Sequence, residues 1–278
     1  MTSIRGILLA FGMAAMGARS DGFDVGIATY SFRNGTAFEA IEKTKACGGD
    51  VIEFFLWQKL SPEHPDVILN QDLSDENLAA LKAKLQETGV KAVSAYFNNA
   101  VFQDKDKAEA NVRKLFEFAH KLGLRGLTGE PPVEQLDLIE KMVKAYDIQF
   151  CFHNHPKDPA RPDYKNWNPS YLVTLMEKRD PRMGFSVDTG HLSRSGVDTV
   201  ETIKLFNKRV LSVHLKDARE AKMESIDLPY GWGISNIAGI LAQLKSQGFH
   251  GHVAVEYENI TDHVLDDVKF CVAFIRSH

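Results

Sequence analysis

Apolar residues in this chain recur in two alternating patterns. Runs of strand length, apolar nearly throughout, occupy residues 25–29, 50–55, 90–95, 125–128, 148–152, 183–188 and 252–256, and another starts at Val210. Between them lie segments whose apolar residues stand three and four apart, at 38–47, 74–87, 105–122, 133–146, 170–178, 197–208 and 234–247; a last one, 262–275, follows the final run. The first pattern predicts strands buried on both faces, the second amphipathic helices. Gly48-Gly49, Gly89, Gly123 and Gly248 stand where helices should stop, and Ser74-Asp75-Glu76-Asn77 where one should start. Eight β-α units in about 255 residues predict an α/β fold, a (β/α)8 TIM barrel forming one domain over residues 24–278. A doubly wound sheet is the alternative, but no G-x-G-x-x-G follows the first strand.

Composition narrows the class. The chain has 278 residues, 44% hydrophobic and 25% charged, as expected of a globular protein with a full core. A net charge of −4 weighs against a duplex-DNA binder. Cys47, Cys151 and Cys271 are too few and too scattered for a disulfide framework or a cysteine zinc site. At the N-terminus Arg5 precedes an apolar stretch, 6–18, ending in small residues. It reads as a secretory signal over residues 1–18, cleaved near Gly17 or Ala18, and implies export to the periplasm or beyond. The alternative is a helix under the barrel of an uncleaved, cytoplasmic protein. The stretch is too short to span a membrane, and no other segment is apolar for long enough.

Titratable residues gather at the predicted C-terminal ends of the strands: Glu53, Glu130, His153 and His155, Asp188 and His191, His214, Lys216 and Asp217, Glu256 and Glu258. Taken singly, each is a plausible helix cap, loop anchor or surface ion pair. As a set on strands five to eight they suggest more. In a parallel barrel these ends converge on one mouth, where such enzymes carry their sites. His153, Asp188, His214 and Glu256 would form one ring able to hold a single divalent ion such as Mn²⁺, Co²⁺, Zn²⁺, Fe²⁺ or Mg²⁺. Alternation along a strand points His153 with His155, His214 with Lys216, and Glu256 with Glu258. Tyr30, His155, Glu53, Glu130 and Trp232 are substrate-binding candidates, and Trp57, Phe97 and Trp167 are further aromatics suited to a sugar face.

The ordered set Asp188-Thr-Gly-His191, His214-Leu-Lys216-Asp217 and Val255-Glu256-Tyr-Glu258 resembles the sugar phosphate isomerase/epimerase family of xylose isomerase-like TIM barrels, from about Val25 to the C-terminus. The Phe152-His-Asn-His155 strand end resembles one branch of it. The resemblance implies one divalent metal held by Glu, Asp, His and Glu, of which Asp188, His214 and Glu256 match the last three. His153 stands where ketose 3-epimerases carry a glutamate.

The expected activity is a metal-dependent isomerisation or epimerisation of a ketose or keto-sugar through an enediolate. Glu256 would be the base, His153 or Glu130 the opposing acid, and Lys216 and His191 would position hydroxyls or meet negative charge. A lyase or dehydratase on the same scaffold, and a non-catalytic sugar-binding barrel, are the alternatives. An abasic-DNA endonuclease would need more metal ligands and a basic face. The expected partner is a small sugar, with no nucleic acid and no stable membrane insertion; a homo-oligomer is compatible with the sequence.

Overall fold

The computed structural model describes residues 22–278, so the expected signal over residues 1–18 lies outside them. Eight parallel strands close into a barrel: β1 (Asp24–Ala28), β2 (Val51–Phe55), β3 (Lys91–Tyr96), β4 (Gly126–Gly129), β5 (Gln149–His153), β6 (Met183–Asp188), β7 (Val210–Leu215) and, after the two-residue antiparallel ribbon β8 (Asp217–Ala218) and β9 (Asp227–Leu228), β10 (His252–Val255). Around the ring the order is β1-β10-β7-β6-β5-β4-β3-β2, so the first and last barrel strands pair and leave no open edge.

The outer helices are α1 (Ala37–Ala46), α2 (Asp75–Thr88), α3 (Ala108–Leu122), α4 (Leu136–Tyr146), α5 (Pro169–Met176), α7 (Thr199–Phe206), α8 (Ile237–Ser246) and α9 (Val264–Ser277), with a short α6 (Thr189–Arg194) between β6 and α7. Local chemistry sets their ends. Thr36 and Glu39 form a capping box at α1, and the Ser74 hydroxyl accepts from the Asn77 N–H at α2. Gly89 and Gly123 close α2 and α3 at φ of 73° and 77°, a conformation in which a Cβ is strained. Ile41, Leu81, Leu115, Phe116, Ile139, Ile203, Ile240 and Val272 are buried between helices and sheet.

The predicted barrel is the observed one. Element ends shift by one to three residues, and two features go beyond the expectation. The helix expected over 197–208 ends at Phe206, followed by a 3-10 turn, Asn207–Arg209. The polar segment directly after β6 is helical, because Asp188 caps it. The interior of the barrel is polar: Ser94 Oγ and Thr128 Oγ1 lie 3.1 Å apart, and His252 Nε2 lies 2.8 Å from Glu53 Oε2. Among the described residues no helix is long and apolar enough to cross a membrane.

Candidate active site

Four side chains from adjacent strands meet at the mouth of the barrel. His153 ends β5, Asp188 ends β6, His214 lies in β7 and Glu256 follows β10. One ligand atom from each lies within 4.8 Å of every other, and all four residues are buried. Register brings two of them side by side, because a shift between Phe185 and Ser186 leaves Asp188 paired with His214 across β6 and β7.

The Asp-Thr-Gly-His motif can be derived residue by residue. Asp188 Oδ1 accepts the His191 N–H at 2.8 Å and so starts α6, leaving Oδ2 to face His153 Nε2 at 3.4 Å and Lys216 Nζ at 3.0 Å. Thr189 stitches α6 to the end of β7: its hydroxyl donates to the Lys216 carbonyl and accepts the Lys216 N–H, both at 2.8 Å. At position 190 an added Cβ would stand 2.6 Å from Lys216 Cβ, so only glycine lets the lysine pass. Asn154 does for β5 what Thr189 does for β7, since its amide bonds both the N–H and the carbonyl of Asp188.

The polar contacts around the four residues are short, yet many are not hydrogen bonds. His214 Nδ1 lies 2.8 Å from Glu256 Oε2 and its Nε2 lies 3.1 Å from Glu53 Oε1. Even so, both nitrogens of His153 and of His214, Asp188 Oδ2 and Glu256 Oε2 are buried without a hydrogen-bond partner. Buried polar atoms seldom stay unsatisfied. Lone pairs that converge on a common point without aligning with one another are what a cation would satisfy. Two imidazoles and two carboxylates suit a divalent first-row metal. His153, Asp188, His214 and Glu256 therefore fit a metal ion.

Charge is balanced around them. Burial acts to raise the pKa of Asp188, but His191, Lys216 and His153 hold it well below the ordinary carboxylate value. Burial acts likewise on Glu256, and Lys216 and His214 bring it down to about 2. Lys216 is buried, which favours its neutral form, yet Asp188, Glu256 and Glu258 push its pKa well above the usual lysine value. It stays an ammonium, 3.2 Å from Glu256 Oε2 and 2.7 Å from Glu258 Oε1. Burial lowers the pKa of His153.

The other expected residues take distinct places. Glu53 lies inside the barrel between two imidazoles, His214 and His252, rather than beside a lysine or arginine. His155 Nδ1 sits 2.7 Å from Glu130 Oε2, while Tyr164 and Asn166 donate to Glu130 Oε1. The His155 ring lies 4.8 Å from that of His153 and stacks on His191 at 5.1 Å. Tyr30 stacks on Phe55 at the mouth. Asp217 is a loop anchor: its carboxylate accepts the N–H groups of Gly231, Gly233 and Ser235. The same loop holds Trp232, the aromatic expected at the substrate, in solvent, 73% exposed and outside the buried cluster. Phe97 is core, packed on Phe102 and Phe150, and Trp167 is tied to its own loop through Tyr164.

Four residues escaped the sequence reading. Phe55 and Tyr96, stacked at 4.8 Å, wall the site, with Tyr96 edge-on to His153. Arg194 bridges His191, Asp227 and Glu258 from α6. His252 backs Glu53. Phe55 ends a predicted strand and Tyr96 directly follows one, a signal that was available; the other two become visible only once the barrel closes.

A closed eight-stranded barrel with a buried His/Asp/His/Glu set at its C-terminal mouth is the architecture of an enzyme superfamily. The chain belongs to the xylose isomerase-like TIM barrel family, which it matches over residues 41–274. Curated relatives include the rhizopine catabolism protein MocC of Rhizobium meliloti, 28% identical over 44% of this chain and 40% of that protein. An inosose dehydratase of Geobacillus kaustophilus is 23% identical over 67% of this chain and 73% of its own length. The chain spans under half the length of the MocC protein and 30% of the Clostridium perfringens inosose dehydratase it matches. Among solved structures, a protein of Parabacteroides distasonis is 31% identical, with a TM-score of 0.71, over 92% of this chain and 99% of that one. The D-psicose 3-epimerase of Clostridium cellulolyticum shares the fold at 16% identity, with a TM-score of 0.70, over 92% of this chain and 99% of that one.

Proposed function

We propose that the protein is a divalent-metal-dependent isomerase or epimerase of a ketose or keto-sugar, moving a proton at the carbon beside the carbonyl. The observation that carries this reading is the convergence of four buried ligand atoms within 4.8 Å at the barrel mouth. His153, Asp188, His214 and Glu256 would hold the ion, which would polarise a carbonyl and acidify the neighbouring C–H.

The chain's own groups do the rest. Glu256, ionised and buried, takes the proton from the α-carbon. Lys216, fixed by three carboxylates, meets the negative charge that develops on the sugar oxygens. A proton on the opposite face needs a second group. His153 belongs to the ligand set, and Glu130 is held by His155, Tyr164 and Asn166. Glu130 therefore acts through His155, fixing Nδ1 and presenting Nε2 as the acid–base nitrogen. His191 positions a hydroxyl, and Phe55 and Tyr96 exclude water. We also propose that the mature protein is exported.

A dehydratase is the second reading. It is favoured by the inosose dehydratases among the relatives. Incubation of the Mn²⁺-loaded protein with ketoses and keto-inositols in D₂O, followed by NMR and mass spectrometry, separates the two. Deuterium at the carbon next to the carbonyl with carbon skeleton and oxygens intact supports the isomerase. A product lighter by one water replaces it with the dehydratase, and no exchange or product from any substrate refutes both.

A further inference from the structure

Beyond Phe55, on the side away from the four ligand residues, the barrel mouth opens into a cavity of about 370 Å³ lined by Tyr30, Arg33, Phe55, Trp57, Gln58 and Ile68. Phe55 belongs to both spaces: its ring centroid is 6.1 Å from that of His214 and 5.1 Å from that of Tyr30. Trp57 stands edge-on to Phe55 at 5.0 Å. The cavity is thus one aromatic ring away from the reaction centre.

One wall is held rigid by Gln58. Gln58 is 6% exposed, and its Nε2 donates to the carbonyls of Phe32 at 3.0 Å and Gly35 at 2.8 Å. Those two bonds fix which way the amide faces. Its Oε1 is then left buried with no hydrogen-bond partner.

We propose that this cavity is a subsite for a second sugar ring, so that the substrate is a disaccharide carrying the reacting keto-sugar at one end. The inference rests on the keto-sugar reading above. The volume is in the range of small-molecule sites. The aromatic walls suit the C–H face of a pyranose. The rim of Arg33, Asn34 and Lys59 suits hydroxyls better than a purely apolar aglycone. None of the four candidate ligand residues lines this space, and Phe55 lies at its edge toward them.

The test uses the Mn²⁺-loaded protein with D-fructose and three disaccharides of fructose: maltulose, lactulose and isomaltulose. Dissociation constants come from calorimetry and kcat/KM from product analysis. At least one disaccharide should bind about tenfold or more tightly than fructose, the gain expected of one stacked ring. Ile68→Trp fills the cavity from a partly exposed position. It should remove that advantage and leave fructose unaffected, and Trp57→Ala should weaken the disaccharide more than fructose. Fructose turnover without a disaccharide advantage overturns the subsite and leaves the proposed function standing. Disaccharide binding that depends on Ile68 without turnover supports the subsite and overturns the function.

Discussion

Replacing Glu53 with glutamine tests how the barrel interior supports the site. Arg125 reaches His252 Nδ1 at 3.4 Å and has only donors to offer, so that nitrogen accepts and His252 donates from Nε2 to Glu53, 2.8 Å away. Glu53 Oε1 faces His214 Nε2 at 3.1 Å. A carboxylate accepts from His252, stands opposite His214 Nε2 and leaves His214 Nδ1 directed at Glu256 Oε2, 2.8 Å away. An amide can accept from only one of them. Its NH₂ end then opposes an N–H, or forces His214 into the tautomer with the proton on Nδ1, the nitrogen that would face a bound metal. Loss of such a supporting carboxylate typically weakens metal affinity 10- to 100-fold, about 1.4–2.7 kcal/mol. A buried N–H set against an NH₂ in place of a carboxylate costs a further ~1–3 kcal/mol of fold stability, or several degrees in Tm for a chain of this size. Calorimetric titration of the metal-free protein with Mn²⁺ gives the first quantity, and thermal unfolding without metal gives the second. An unchanged dissociation constant in Glu53→Gln would refute the reasoning even if the Tm fell.

Four further outcomes are expected. About one equivalent of divalent metal should be found by plasma mass spectrometry in the wild type and much less in His153→Ala and Glu256→Gln; full metal in His153→Ala would move the fourth ligand elsewhere. In the metal-free protein burial lowers the pKa of His214, but Glu53 and Glu256 outweigh it and raise the pKa well above the ordinary histidine value, whereas that of His153 is lowered by burial. At pH 7 His214 is then protonated and must lose that proton to bind metal, so uptake should release about one proton and weaken as pH falls; calorimetry in buffers of different ionisation enthalpy reads this directly, and no buffer dependence would contradict it. Gly190→Ala puts a methyl 2.6 Å from Lys216 Cβ and should cost roughly 1–3 kcal/mol in urea unfolding, with metal loading reduced as Asp188 and Lys216 are pushed apart. N-terminal sequencing of the exported protein should begin just after Gly17 or Ala18, and an intact Met1 on the mature protein would rule the signal out.

Sequence alone determined the barrel and which four side chains meet at its mouth, because both are encoded locally. Apolar runs and 3.6-residue periodicity specify strands and helices within a dozen residues. A strand that ends in His153, Asp188, His214 or Glu256 delivers that side chain to the mouth of any parallel barrel. The Asp-Thr-Gly-His motif is legible for the same reason: cap, stitch, gap and imidazole occupy four consecutive residues. Tertiary structure decided the partners. Glu53 and His252 are 199 residues apart and meet only because β1, β2 and β10 close the ring. Strand alternation shows that Glu53 points inward but not which imidazole stands opposite, since that depends on register around the whole barrel. The roles of Asp217 and Trp232 were likewise set by a loop whose path follows from three backbone N–H groups turning onto one carboxylate. Side-chain direction is a property of the local backbone; which side chain is met there is a property of closure.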